Sequence, residues 1–239
     1  MKKIALVTGS SRGIGLAAAK ELENAGCQVI YHASKVSDKL LAAAGTSPFY
    51  GVDLSSAEAT ADFADELIAG NQIPDILVFN ASYQSYTGIG NFTAEEYRKM
   101  FDTNVESTCL LLNKLFPEMQ KKQWGRVIFV SSVNGVKPAG RLAVYGATKA
   151  AFQNLARTAA LEGAPFNITV NSILPGVIET DRNAEALSDK EFAAMLKEKV
   201  PMHRFGTAEE CGKLVAFLAS EAAGYITGAE IPIAGGLQL

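Results

Sequence analysis

Short apolar runs alternate along this chain with longer stretches in which apolar residues recur every three or four positions. The runs at 4–7, 28–31, 49–52, 76–79, 127–130, 168–173 and 230–233 are rich in β-branched and aromatic residues and are almost free of charge. A strand with one wet face alternates polar and apolar side chains; a nearly continuous run suits a parallel strand covered by helices on both faces. The segment 14–24 and its counterparts supply those helices. The pattern therefore predicts an α/β fold, a Rossmann-like doubly wound parallel sheet of about seven strands with helices on both faces.

Helix starts carry their own marks. Ser55, Thr93, Ser188 and Thr207 each stand three positions before a Glu, the spacing at which hydroxyl and carboxylate satisfy each other's orphan backbone amides. No repeat, low-complexity tract or Pro/Ser-rich linker breaks the rhythm, so one domain over residues 1–239 is expected. The longest interruption, the polar stretch 179–204, reads as a lid.

Composition narrows the classes of function. A formal net charge of -3, with no Lys/Arg block longer than Lys121-Lys122, argues against a nucleic acid or an anionic membrane as partner. The opening apolar run breaks at Thr8-Gly9, too early for a signal peptide, and no stretch reaches the ~18 apolar residues of a membrane span. Cys27, Cys109 and Cys211 are odd in number and widely spaced, which predicts buried thiols in a reducing, cytoplasmic setting. His32 and His203 are too isolated to argue for a metal.

Two motifs carry chemistry. Gly9, Gly13 and Gly15 follow a strand and open a helix, where glycine lets the backbone approach a pyrophosphate and the helix start offers unpaired N–H donors. Tyr145 and Lys149 are four residues apart and so share a helix face; a nearby ammonium is expected to lower the tyrosine pKa from its usual value of about 10 toward an acid/base useful at neutral pH. Alone, a Tyr-x-x-x-Lys pair is more often a solvated contact than a catalytic one.

Thr8 to Gly15, Asn80-Ala81, Asn104, Ser132, Tyr145-x-x-x-Lys149 and Pro175-Gly176 share order and spacing with, and so resemble, the core short-chain dehydrogenase/reductase family. The resemblance covers essentially the whole chain, down to Tyr225-Ile226-Thr227-Gly228 and Gly235-Gly236. It implies that Ser132 bonds the substrate oxygen, that Tyr145 exchanges the proton, that Lys149 tunes Tyr145 and holds the nicotinamide ribose, and that Asn104 holds a water linking the lysine to solvent. It further implies cofactor contacts from Gly9, Ser11, Arg12, Gly13, Ile14, Gly15, His32, Asp53, Leu54, Asn80, Ala81, Tyr145, Lys149, Pro175, Gly176, Ile178 and Thr180, and a homotetramer. No acidic residue stands in Tyr31-His32-Ala33-Ser34-Lys35, where it would bond a ribose 2′-hydroxyl, whereas Arg12 and Lys35 offer positive charge. NADP(H) is therefore expected over NAD(H).

Substrate is less defined. Ser82 stands where many relatives have glycine, and Tyr83-Gln84-Ser85-Tyr86 adds hydroxyl and amide groups suited to a small polar carbonyl of the sugar, sugar-acid or polyol type. The alternative is a 3-oxoacyl thioester on an acyl carrier protein, with Lys121, Lys122 and Arg126 as carrier contacts. A non-catalytic dinucleotide sensor is the remote third, disfavoured because Ser132, Tyr145, Lys149 and Asn104 are all kept.

Overall fold

The computed structural model describes residues 2–239, the side chains at 185 and 186 excepted. In chain order the elements are β1 (Ile4–Val7), α1 (Gly13–Asn24), β2 (Gln28–Ala33), α2 (Asp38–Ala44), β3 (Phe49–Gly51), α3 (Ala57–Ala69), β4 (Ile76–Phe79), α4 (Ala94–Phe101), α5 (Ser107–Lys122), β5 (Gly125–Val130) and α6 (Ala143–Gly163). There follow β6 (Ile168–Pro175), β7 (Ile178–Glu179), α7 (Ala184–Ser188), α8 (Lys190–Glu198), β8 (Gly206–Thr207), α9 (Ala208–Ala219) and β9 (Glu230–Ile233). Seven strands form one parallel sheet in the order β3-β2-β1-β4-β5-β6-β9, which is the doubly wound arrangement the apolar runs predict.

Successive side chains of each strand enter different cores. Ala5, Val7, Val29, Tyr31, Ile76 and Val78 pack with Ala18 and Leu22 of α1 and with Val215 and Leu218 of α9. Their neighbours Leu6, Ile30, Leu77, Phe79, Val127 and Phe129 pack on the opposite face with Phe63 of α3, Leu115 of α5 and Phe152 of α6. Because the side-chain period of a strand is two, both faces need apolar residues, and this is why the runs in the sequence are continuous.

Several local expectations change register. Thr93 with Glu96 and Thr207 with Glu210 form complete capping boxes. The other two do not: α3 is capped by Ser56, while Asp53 takes both the amide and the hydroxyl of Ser55, and α8 is capped by Asp189, whose carboxylate accepts from the amides of Glu191 and Phe192. The stretch read as a lid holds α7 and α8, and its two ends are tied by the short parallel pair β7–β8. Two-residue strands have no periodicity to read, so only the structure reveals the tie.

Burial corrects two further expectations. Cys211 is buried, but Cys27 is half-buried and Cys109 exposed, all three as free thiols. Arg126 is only 1% exposed: it lies in β5, bonds the carbonyls of Gly125 and Asn167, and pairs with Glu221, so it is not a surface contact for an acyl carrier. Lys122 is tied to Asp75 and the Ile73 carbonyl, and Lys121 to Glu118.

Candidate active site

The functional candidates gather along the carboxyl edge of the sheet. Gly9 follows β1, Asn80 follows β4, Ser132 lies two residues past β5, and Pro175 ends β6. This edge, where the strand order reverses across β1, is where open α/β sheets hold ligands.

The Gly-rich turn is fastened from below. Thr8 Oγ1 accepts from the amides of Asn80 and Ala81, and Asn80 Nδ2 donates to the carbonyls of Thr8 and Gly9. Gly9 takes a left-handed φ of 67°, and a Cβ on Gly15 would lie 2.4 Å from both Asn80 Nδ2 and the Gly9 carbonyl oxygen. The turn is thus pressed against its support, and side chains at these positions would displace it. Arg12 precedes α1 without a side-chain cap, so the first-turn amides keep their donors for an anion. These features fit a dinucleotide pyrophosphate. Thr180 comes beside the turn, 3.5 Å from the Cβ position of Gly13, and Ile178 is buried, its carbonyl accepting from Asn183. Arg12, Lys35 and Asp53 are exposed around the same edge, and Leu54 is buried beneath it.

His32 has a different setting from that of an exposed cofactor contact. Its ring is 1% exposed, Nδ1 accepts from the Gly9 amide at 3.1 Å and Nε2 faces the Val52 carbonyl at 3.1 Å. Both nitrogens are spent on fixing the turn, and burial lowers the imidazole pKa to about 4. The ring therefore supports the turn from beneath, with neither nitrogen open to solvent.

Tyr145 and Lys149 lie on one face of α6, as their spacing predicts, and both are buried. Lys149 Nζ donates to the Val130 carbonyl at 3.0 Å and stands 5.6 Å from the centre of the Tyr145 ring. Ser132, whose hydroxyl receives the Asn134 amide, and Arg182 from the lid both lie close enough to Tyr145 to act on its phenol. Burial pushes the phenol pKa up; the Arg182 charge and the Ser132 hydrogen bond pull against that rise. Burial, then Arg182, brings the Lys149 ammonium down to about 7. Burial is thus the largest influence on both groups, with the Arg182 charge next, and the Lys149 ammonium stands 5.6 Å from the ring centre.

Asn104 sits in a π-helical turn between α4 and α5 and is 1% exposed. Its side chain accepts from the Tyr83 amide, donates back to the Tyr83 carbonyl, and donates to Thr148 Oγ1, itself bonded to the Tyr145 carbonyl. It clamps the loop after β4 to α6. Ser82 causes no left-handed strain there, and its carbonyl accepts from Arg182 Nη2 at 2.8 Å. Arg182 and Thr148 are the residues that motif reading left without a role at this site; their part depends on contacts between distant segments.

The family described as enoyl-(acyl carrier protein) reductase matches residues 9–238. The chain belongs to the short-chain dehydrogenase/reductase family. It is 38% identical over 243 residues to 3-oxoacyl-[acyl-carrier-protein] reductase FabG of Escherichia coli (strain K12), covering 99% of this chain and 98% of that protein. A crystal structure of a 3-oxoacyl (acyl-carrier-protein) reductase from Agrobacterium tumefaciens C58 with NADP bound is 35% identical, with a TM-score of 0.92 over 98% of this chain and 93% of that one. A putative gluconate dehydrogenase from Agrobacterium tumefaciens is 26% identical, with a TM-score of 0.93 over 99% and 96% of the two chains. The protein is accordingly an oxidoreductase of this family that uses a nicotinamide dinucleotide. No helix among the described residues is long and apolar enough to cross a membrane.

Proposed function

We propose that this short-chain dehydrogenase/reductase interconverts a small polar ketone and its secondary alcohol, with NADP(H) as the preferred cofactor. The observation that carries the reading is the convergence of Ser132, Tyr145 and Lys149 at the carboxyl edge of the sheet, beside a glycine turn pressed too tightly to carry side chains. A nicotinamide held here would supply or take up the hydride. Ser132 and Tyr145 hold the substrate oxygen and stabilise the charge that develops on it, Tyr145 transfers the proton, and Lys149 supports both the phenol and the cofactor ribose. Asn104 positions α6 and the loop after β4. The exposed cations Arg12 and Lys35, with no carboxylate at the end of β2, favour a 2′-phosphate.

The loop after β4 supports a polar substrate. Tyr86 stands close enough to Tyr145 to influence its ionisation, and Tyr83 and Ser85 are anchored by Asn104 and Glu96. An acyl-carrier substrate is the second reading, favoured by the identity to the bacterial 3-oxoacyl reductase and weakened by the burial of Arg126. We read the whole chain as one catalytic domain and the working enzyme as a cytoplasmic homotetramer.

NADPH oxidation followed by absorbance, against keto-sugars, keto-acids and a 3-oxoacyl thioester and repeated with NADH, tests this. Turnover of the polar ketones with NADPH is expected, falling about 10²-fold or more in Tyr145→Phe while cofactor binding stays intact. Turnover of the thioester alone selects the second reading; unchanged turnover in Tyr145→Phe overturns the mechanism.

A further inference from the structure

The proposed carbonyl reduction leaves one group beside the phenol without a role. Arg182 leaves the lid just after β7, crosses to the loop after β4, and donates from Nη2 to the Ser82 carbonyl at 2.8 Å, a bond spanning 100 positions in sequence. From there it is near enough to Tyr145 to act on the phenol by charge and by hydrogen bonding, and the phenol hydroxyl is the atom that meets the substrate oxygen under the proposed function. A guanidinium has five N–H donors, and the Ser82 carbonyl takes up only part of that fork.

The charges around it are arranged for an anion. Asp181, the adjacent carboxylate, is turned away to Lys39 at 3.0 Å, and Glu96 is occupied by Ser85 and by the cap of α4. No carboxylate forms an ion pair with Arg182 among the described residues. The other ionisable groups that face the phenol from α6 and from the loop are Lys149 and Tyr86. Arg141 adds a second cation at the rim, reaching the Tyr86 carbonyl at 3.5 Å. A neutral sugar would take ordinary hydrogen bonds from a guanidinium placed there, whereas a carboxylate takes charge-assisted bonds in the bidentate geometry that matches the fork.

We infer that Arg182 is a specificity-determining residue that binds a substrate carboxylate, so that the substrate is a 2- or 3-oxo acid, or the corresponding hydroxy acid. The position sets the class: a cation held on the loop after β4, close enough to act on the phenol, meets a carboxylate near the reacting carbonyl, not one at the far end of a long chain. The same contact couples binding to the lid. A carboxylate shared by Arg182 and the pocket holds the lid on the loop after β4 and keeps water from the reacting atoms.

This inference rests on the proposed reduction of a small polar ketone, and the test separates the two. Initial rates with NADPH are measured on pyruvate and acetoacetate against their methyl esters, and on a 3-oxoacyl thioester, in the wild type, Arg182→Met and Arg182→Lys. The wild type is expected to favour an acid over its ester about tenfold or more in kcat/KM, the scale of a charge-assisted hydrogen bond. Arg182→Met is expected to bring that ratio near one, and Arg182→Lys to keep part of it. Binding of oxamate, a non-reducible mimic of pyruvate, to the NADPH complex is expected to weaken by a similar factor in Arg182→Met, with neutral oxamide unaffected. Equal loss on acid and ester would make Arg182 a lid latch and overturn the inference, as would ester reduction without acid preference; either result leaves ketone reduction standing. Turnover of the thioester alone, with no oxamate binding, would overturn both.

Discussion

His32 shows how one side chain can set the shape of a site it does not line. The Gly9 amide needs an acceptor at Nδ1, so the ring proton belongs on Nε2, where it meets the Val52 carbonyl. Protonating Nδ1 would set two donors against each other in a buried space. The folded pKa of about 4 lies below the ordinary 6.5, so the unfolded chain binds the proton first, and stability is lost as pH falls from 6.5 through 4. The loss attributable to this ring is expected to reach about 3 kcal/mol below pH 4. Urea unfolding at several pH values should show the acid slope reduced in His32→Gln, which keeps an acceptor and a donor; equal slopes in the two proteins would contradict the assignment. Tyr145 and Lys149 make a complementary point. Their spacing announces a shared face, but the environment, burial first and Arg182 next, sets their protonation.

At the scale of elements, the site depends on how closely segments approach. The turn between β1 and α1 is held against the end of β4 by Thr8 and Asn80, and Gly15 fills the contact with no room for a methyl group. Gly15→Ala is expected to destabilise the fold by about 1–3 kcal/mol, the ordinary cost of overpacking, and to weaken NADPH binding about tenfold. Thermal melting and fluorescence titration of NADPH would check the two effects; tight binding in the variant would show that the turn is looser than its contacts imply. The lid depends on a similarly small device. Ile178 and Glu179 pair with Gly206 and Thr207, and this short ladder ties the two ends of the excursion to each other.

For the whole molecule, the sheet divides two apolar cores, and the helices on both faces leave large side chains uncovered. Leu161 of α6 and Phe217 of α9 are 79% and 44% exposed, and Tyr225 beyond α9 is fully so. The carboxyl-terminal residues are held by their own chain: Lys137 Nζ donates to the carbonyls of Leu237 and Leu239, both at 2.7 Å. The tail is thus fixed in place, with Leu239 itself exposed. Light scattering at micromolar concentration is expected to give a tetramer, in which such surfaces are covered; a monomer would remove the oligomer from the proposal.

The order and type of nearly every element of the sheet follow from the sequence, because continuous apolar runs between amphipathic segments have few solutions other than a covered parallel sheet. The glycine turn, Asn104, Ser132, Tyr145 and Lys149 are legible as motifs because each demands a residue type at a defined distance from its neighbours. Helix caps at Ser56 and Asp189 were displaced by one position from the spacing signal, since several adjacent oxygens compete for the same amides and local geometry chooses among them. The burial of Arg126 and of the His32 ring, the exposure of Cys109 and the approach of Arg182 to Tyr145 belong to tertiary structure alone. Periodicity records which face of an element is apolar, whereas a polar group's partners come from segments 20, 95 or 100 residues away, and their distances exist only once the chain has folded.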